Sequence, residues 1–375
     1  MLSLSRGLTK LVHFKRDLSQ LPEIINYSSL AAKTFKNSIT ANIYRSFLLK
    51  YRYKFSPKEY FYQGLLNPEF TFNHRTDLLS RNRLSVLQSE VNPVDYRDIT
   101  ENKAIFNKFS VAANLPVPEL FAVYYKYFKG ENSKKQNLEG KNAWVDFLNS
   151  NIKKEFVVKP NYGVYGRGLS AFKKEGDKFT DDFHNEFNSE ELLGKLNSET
   201  MYNSFIFQQR LYTHKYLYAA TGSKSLHTLR IITFASSSDK VGILSVEFKI
   251  AQKNNTIDNI NYGIHGNLLS EVDVETGQLL NLLESKNDGR GEINIEVMPS
   301  TGIHCREIFI PEFNEVKNLA VESAKKFFPI RMIGWDIAVS DKGVYLLEGN
   351  MFFDLPSSAE DIRHIKSKFN ELINN

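Results

Sequence analysis

Asp336, Glu348 and Asn350 are the residues whose types and spacing most directly imply chemistry. They lie in Ile333-Gly334-Trp335-Asp336-Ile337-Ala338-Val339-Ser340-Asp341-Lys342-Gly343-Val344-Tyr345-Leu346-Leu347-Glu348-Gly349-Asn350, where two apolar, β-prone runs flank a polar cluster ending in glycine. That is a β-hairpin pattern. A three-residue loop at 341–343 places Asp336 directly opposite Glu348, and the two-residue period puts Asn350 on the same face. Like charges facing each other across strands are destabilising, so the pair implies a cation between them. Mg²⁺ is the candidate: it takes oxygen ligands and is commonly held by one or two carboxylates completed by substrate phosphates. The alternative is a surface hairpin with solvated acids.

A second group lies upstream. In Glu155-Phe156-Val157-Val158-Lys159-Pro160-Asn161-Tyr162-Gly163-Val164-Tyr165-Gly166-Arg167-Gly168 a β-prone run ends in lysine and is followed by glycines, before another strand pattern at 169–172. Glycines let backbone N–H groups approach anionic oxygens, so Lys159 and this loop suit phosphates; taken alone the loop is also a plain tight turn. It lacks the Gly-Lys-Ser/Thr ending of a Walker A loop, and no helix follows as a dinucleotide fingerprint requires. Arg230 and Lys249 sit on two more strand patterns, 226–234 and 241–250. Alternation in the latter puts Ser245, Glu247 and Lys249 on one face and Leu244, Val246, Phe248 and Ile250 on the other. Arg230 is either an anion contact or half of a structural ion pair. His214, His227, His265 and His304 have no metal spacing and read as polar contacts, Trp335 reads as core-facing, and no nucleophilic triad is present.

The elements that must position these groups are legible in outline. Residues 98–109 read as a helix opened near Thr100, with Lys103 where a full capping box would have an acid; prolines follow, then a strand at 120–125. Residues 129–141 read as a polar linker, 203–211 as a strand running into a linker, 254–267 as a polar loop and 298–302 as a turn. A helix at 314–328 leads into the hairpin, and an amphipathic helix closes the chain. Near the start, Leu4, Leu8, Leu11, Val12 and Leu18, then Ile43, Phe47 and Leu48, recur at helical spacing, followed by an irregular aromatic stretch at 51–72. Basic amphipathic helices of this kind lie on an anionic membrane face or pack on their own domain.

Bulk composition bounds the function. With 375 residues, 42% hydrophobic and 24% charged, the chain holds two or three globular units. A net charge of +5 suits an anionic ligand such as a nucleotide and does not demand nucleic acid. The single cysteine, Cys305, excludes internal disulfides and multi-cysteine metal sites, fits a reducing, cytoplasmic setting, and reads as a small buried residue. No apolar run is long enough to span a membrane, and the first residues lack a secretory signal pattern.

Five motifs in order resemble the ATP-grasp superfamily, and within it the sugar-transfer-associated ATP-grasp proteins of surface-polysaccharide clusters. They are Lys159-Pro160 with Gly166-Arg167-Gly168; Thr228-Leu229-Arg230; Ile257-Asp258-Asn259; Ser300-Thr301-Gly302; and Gly334-Trp335-Asp336 with Glu348-Gly349-Asn350. The likeness spans about 95–355. It implies an α+β, ATP-grasp fold of two lobes clamping ATP behind a helical, basic N-terminal region, divided as 1–94, 95–150, 151–212 (small lobe) and 213–375 (large lobe). It further implies that Lys103, Lys159 and the loop of Gly163, Gly166, Arg167 and Gly168 hold phosphates, that Gln208, Gln209 and Leu211 meet adenine, and that His214 or a neighbour meets ribose. Asp336, Glu348 and Asn350 would hold Mg²⁺, and Arg230 and Lys249 would face the γ-phosphate or an acyl phosphate. Many relatives carry a carboxylate at the adenine hinge where this chain has Gln208-Gln209. The implied activity is carboxylate–amine ligation through an acyl phosphate, joining an amine or amino acid to a small-molecule or saccharide-linked (uronic) acid. A sugar phosphotransferase and a non-catalytic nucleotide-binding partner of a glycosyltransferase are the rival readings.

Overall fold

Serine caps organise the first helices. The computed structural model describes residues 19–70, 78–163, 166–252, 255, 258 and 260–374. It opens with α1 (Leu21–Phe35), α2 (Ile39–Tyr53), α3 (Pro57–Tyr62) and α4 (Arg81–Val91). Ser38, Ser56 and Ser80 sit at the N-caps of α2, α3 and α4, each accepting a backbone N–H from the first turn, and Glu59 completes a capping box at α3. Two helices thus reach into the stretch expected to be irregular. On α2 the buried stripe is Asn42, Ser46, Leu49 and Tyr53 rather than Ile43 and Phe47. Polar contacts drive this packing: Asn42 Nδ2 donates to Ser28 O at 3.2 Å, and Ser28 and Ser46 hydroxyls meet at 3.1 Å. These amphipathic helices pack on their own cluster of Leu49, Phe55, Tyr60, Phe61 and Leu66. The spacing at residues 4–18 lies outside the described residues. No described helix is long and apolar enough to cross a membrane.

Next come α5 (Arg97–Glu101) and α6 (Lys103–Ala112), in place of the single helix expected. Asn102 makes the break: extended in backbone, it accepts from Ile105 N and caps α6, a role that the sequence reading gave to Thr100.

The first sheet is built from β1 (Leu120–Tyr125), β2 (Lys129–Asn132), β3 (Glu155–Pro160), β4 (Ser170–Glu175), β5 (Lys178–Asp181), β6 (Glu186–Phe187) and β7 (Ser204–Gln209), in the antiparallel order β2-β1-β7-β3-β4-β5-β6. Helices α7 (Lys141–Ser150) and α8 (Ser189–Ser198) bury one face through Trp144, Phe147, Phe156, Phe172, Phe179, Leu193 and Phe207. The supposed linker at 129–141 supplies β2. Together with β1, it places much of 95–150 in the same sheet as β3 to β7.

After α9 (Lys215–Thr221), the second sheet takes β8 (Thr228–Ser237), β9 (Lys240–Ile250), β10 (Leu268–Glu271), β11 (Leu283–Lys286), β12 (Gly291–Asn294), β13 (Met332–Ser340) and β14 (Gly343–Asn350), in the order β12-β11-β10-β9-β8-β13-β14. Helix α10 (Phe313–Lys326) covers one face through Val316, Ala320, Ile231, Phe248, Trp335 and Ile337. On the other face, α4 and α11 (Ala359–Asn374) cover Ile232 and Met332 with Leu84, Ile365 and Phe369. Arg230 and Asp336 share that second face with Ile232 and Met332, beyond the reach of the covering helices. A bulge in β9 moves one residue from its expected side: Ile232 pairs with Ser245 and Thr233 with Ile243, so Leu244 is extra. It packs with α4 and α11, while Val246, Phe248 and Ile250 enter the α10 core.

His227 ties the end of α9 to the end of β9. It is fully buried; Nδ1 accepts from Ala251 N at 3.2 Å, so Nε2 carries the proton toward Thr221 Oγ1 at 2.8 Å. Burial pushes its pKa down to about 3. The unfolded imidazole binds a proton below about 6.5 while the folded one does not until about 3, so stability falls as pH drops through that window. Urea unfolding should show a pH slope between about pH 6 and 4 that is shallower in His227→Gln than in the parent, by roughly 1.4 kcal/mol per unit. Equal slopes would exclude a neutral, buried imidazole.

Candidate active site between the two sheets

The hairpin of β13 and β14 brings Asp336 opposite Glu348 and Gly334 opposite Asn350. The turn is one residue shorter than expected, with Ser340 pairing Gly343, and a bulge between Asp336 and Ile337 leaves Leu347 unpaired and restores the register. Without that bulge Asp336 would face Leu347, and Glu348 would point into the opposite layer. Trp335 faces the core as expected, with Nε1 donating to Thr233 Oγ1 at 2.9 Å. Gly334 is a packing requirement: a Cβ there would lie 2.6 Å from that of Phe353 and 3.2 Å from Arg230 Cδ.

Asp336 is enclosed by cations. Arg230 donates through Nε to Oδ1 at 2.7 Å and through Nη2 to Oδ2 at 3.0 Å, and Lys249 Nζ reaches Oδ1 at 2.9 Å. Burial alone would raise this carboxyl, but the guanidinium and the ammonium outweigh it and hold Asp336 well below the usual carboxylate range. Arg230 and Asp336 are direct cross-strand partners, and the row continues on both sides: Glu271, Glu247, Arg230, Asp336 and Glu348 are successive partners across β10, β9, β8, β13 and β14.

Lys103, the first residue of α6, spans the gap between the sheets. Its Nζ donates to Gly163 O at 2.8 Å and lies 3.3 Å from Glu348 Oε2. Its backbone is fixed by Asn161, whose O accepts from Lys103 N and whose Oδ1 accepts from Ala104 N. Asn161 escaped the sequence reading, although its place directly after the Lys159-Pro160 strand end was a usable signal. Lys159, near the end of β3, donates no hydrogen bond and makes no ion pair through its amine among the described residues. Burial and the neighbouring Lys103 push it down to about 8, against the pull of Glu348 and Asp336. Beyond it Gly166 and Gly168 take φ of +67° and +75°, and a Cβ on Gly168 would lie 2.8 Å from Pro160. Arg167 between them is exposed.

The residues expected at adenine and ribose are arranged differently. Gln208 Nε2 donates to Pro118 O at 3.1 Å and Gln209 Oε1 accepts from Glu119 N at 3.2 Å, so both side chains serve the chain's own 118–119 segment. Leu211 is buried at the crossing between the sheets. His214 caps α9, its Nδ1 accepting from Tyr216 N at 3.2 Å. Of the motif at 257–259 only Asp258 is described, accepting a hydrogen bond from Thr228 Oγ1. Glu247 was noted only for its face; it is buried in the charged row and bound by Ser357.

Three oxygen donors on the hairpin suit a hard cation. Asn350 Nδ2 donates to Gly334 O at 3.4 Å, and its Oδ1 accepts from no donor among the described residues, on the same face as the two carboxylates. No group of three or more His, Cys, Asp or Glu among the described residues is placed to hold a metal. The set therefore fits an ion that completes its shell with ligand oxygens, as Mg²⁺ does with phosphates.

A model of the sugar-transfer associated ATP-grasp family matches residues 82–362. No curated protein matches the chain. Among solved structures it is similar to a biotin carboxylase from Campylobacter jejuni, at 11% identity and a TM-score of 0.43, covering 78% of this chain and 51% of that one. It is similar to a D-alanine–D-alanine ligase from Bacillus anthracis at 15% identity and a TM-score of 0.39, with 78% and 74% covered. An L-amino acid ligase from Bacillus licheniformis aligns at 10% identity and a TM-score of 0.35, with 68% and 41% covered. The chain thus spans about half or less of the carboxylase and of the L-amino acid ligase.

The two hairpin carboxylates should differ in their effect on folding. Removing Asp336 strands two enclosed cations, so Asp336→Ala should lower unfolding free energy by about 3–5 kcal/mol. Glu348, more exposed and held by one longer ion pair, should cost less than about 1 kcal/mol on the same change. Chemical denaturation of the two variants checks this; equal losses would refute the ranking.

Proposed function

The chain belongs to the sugar-transfer associated ATP-grasp family, and from that premise we propose that it is an ATP- and Mg²⁺-dependent carboxylate–amine ligase that forms an amide through an acyl phosphate. Its substrates in this reading are an amine or amino acid and a sugar-linked, uronic acid, and the setting is surface-polysaccharide synthesis in the cytoplasm. The observation that carries it is the Lys159 amine. A cation with no partner among the described residues, beside a second lysine and near two carboxylates, is costly unless an anionic ligand completes it.

A carboxylate repels nucleophiles, so activation by phosphorylation must precede amide formation. In this reading Lys103, Lys159 and the backbone of the Gly163, Gly166 and Gly168 loop grip the phosphates. Arg230 and Lys249 face the phosphoryl group as it moves to the acid and then orient the acyl phosphate. Asp336, Glu348 and Asn350 Oδ1 would hold Mg²⁺, which when bound neutralises charge on the transferring phosphoryl group. Lys103 and Lys249 pair with Glu348 and Asp336, so the same cations and carboxylates bracket the phosphate position. The adenine would meet the backbone of 210–212, where the chain leaves β7, since the Gln208 and Gln209 side chains are engaged.

Purified protein with Mg²⁺-ATP, given amino acids paired with uronic acids, should release ADP and a product weighing both partners minus water by mass spectrometry. A product heavier by one phosphoryl group would make the chain a phosphotransferase. Tight ATP binding with no turnover across the panel would make it a binding protein.

Lys159→Met supplies a separate check. Because burial pushes the amine down and it has no partner among the described residues, the variant should fold as stably as the parent or more so, yet bind ATP at least about tenfold more weakly by calorimetry. Unchanged ATP affinity would remove Lys159 from the nucleotide site.

A further inference from the structure

The row of charges does not stop at Arg230. Its next member is Glu247, with two strand spacings of about 4.8 Å each separating its backbone from that of Asp336, about 10 Å in all. Glu247 is 6% exposed. One oxygen, Oε1, accepts from both the backbone N and the hydroxyl of Ser357. The other, Oε2, accepts nothing among the described residues and is not among the side-chain atoms sealed from solvent without a partner. A buried carboxylate with one oxygen anchored and the other open is poised for a donor from outside the protein.

Its surroundings favour a cationic donor. Glu271 is its direct partner across β9 and β10, and the Glu271 carboxylate is itself without a partner among the described residues. A cavity of about 260 Å³ lies on the Glu271 side of the pair, lined by Glu271, Asp273, Glu275, Glu360 and Asp361 with Val246; Glu247 itself does not line it. Asp361 from α11 is raised to about 7, by burial first and then by Glu271 and Glu247. On the opposite side stand Arg230 and Lys249, the groups proposed to hold the acyl phosphate. Like charges opposed across strands imply a cation here, as they do at the hairpin, but this side of Arg230 lies away from the phosphate grip.

We infer that Glu247 receives the attacking amine, binding it as an ammonium and taking one of its protons before it meets the acyl phosphate held by Arg230 and Lys249. This rests on the ligase reading. The balance is complete: the amine nitrogen bonds to the acyl carbon as the carbon–oxygen bond to phosphate breaks. Of the three ammonium protons, one passes to Glu247, one remains on the amide nitrogen and one leaves with hydrogen phosphate. Burial raises Glu247 from the ordinary carboxylate range, against the pull of Ser357, Lys249 and Arg230, which suits a base.

The test compares two nucleophiles on the acid selected by the panel. Hydroxylamine is uncharged at neutral pH and needs no base, so Glu247→Gln should form hydroxamate within about twofold of the parent while amide formation with the panel's amine falls by about 10²-fold. Parallel loss of both products would make Glu247 structural or part of the nucleotide site, and full amide formation would remove it from the reaction; either overturns the inference. No hydroxamate from the parent with any acid would sink the ligase reading itself, and the amine subsite with it. Should Glu247→Gln fail to fold, Glu271→Gln decides. With no carboxylate partner among the described residues to lose, it should raise the amine KM about fivefold or more with hydroxamate formation unchanged, and an unchanged KM overturns the proposal.

Discussion

A carboxylate enclosed between a guanidinium and an ammonium is the constraint on which the large sheet depends. Asp336 can be ionised at its depth only because Arg230 meets it with two hydrogen bonds and Lys249 with a third. Each of those cations would be equally untenable alone. The three come from β13, β8 and β9, so their meeting requires one register across all three strands. The opposite face enforces that register: Ile231, Val246 and Trp335 must reach the α10 core, and a slip of one residue in any strand would exchange core for charge.

Two bulges reconcile these demands, and they mark where the sequence could and could not be read. Strand positions were legible because β-branched runs bounded by turn residues are local signals; β1, β8, β9 and the hairpin fell where alternation put them. The opposition of Asp336 and Glu348 was legible too, but through a compensation: a two-residue turn replaced the three-residue one, and Leu347 absorbed the difference. In β9 no compensation occurred, and Leu244 changed sides. Bulges leave no local signature because they answer to the partner strand.

Polar packing was the other source of error. Asn42 and Ser46 line the buried face of α2, which a reading of apolar spacing assigns to solvent. Asn102 breaks the helix because its side chain caps the next turn, as asparagine favours, and its neighbour Lys103 faces Asn161 and Gly163. Gln208 and Gln209 are polar residues at a strand end whose obligations lie within the fold, to Pro118 and Glu119. A polar side chain in a sequence announces a need for a partner but not whether that partner is a ligand or the backbone. Lys159 reads from the sequence as a phosphate contact, and it differs from Gln208 and Gln209 in making no hydrogen bond or ion pair at its amine among the described residues.

The segment next to the charged row takes its shape from outside the lobe. Asp258 contacts Thr228 beside Lys249, and four residues later Tyr262 adopts a left-handed backbone, φ +56°. A bulky aromatic residue is strained there and persists only where its surroundings over-determine it. Those surroundings come from α3: Tyr62 lies against the Tyr262 ring at 4.8 Å between centroids, and Lys58 sits 4.9 Å over it. Thr34 and Phe61 fix the adjoining 288–289 turn, by a hydrogen bond to Asp288 O and by close packing against Gly289. All four contacting residues precede the start of the family match at residue 82. The row of charges is thus built by the sheet's own register, whereas Tyr262 and the 288–289 turn are held by the N-terminal helices.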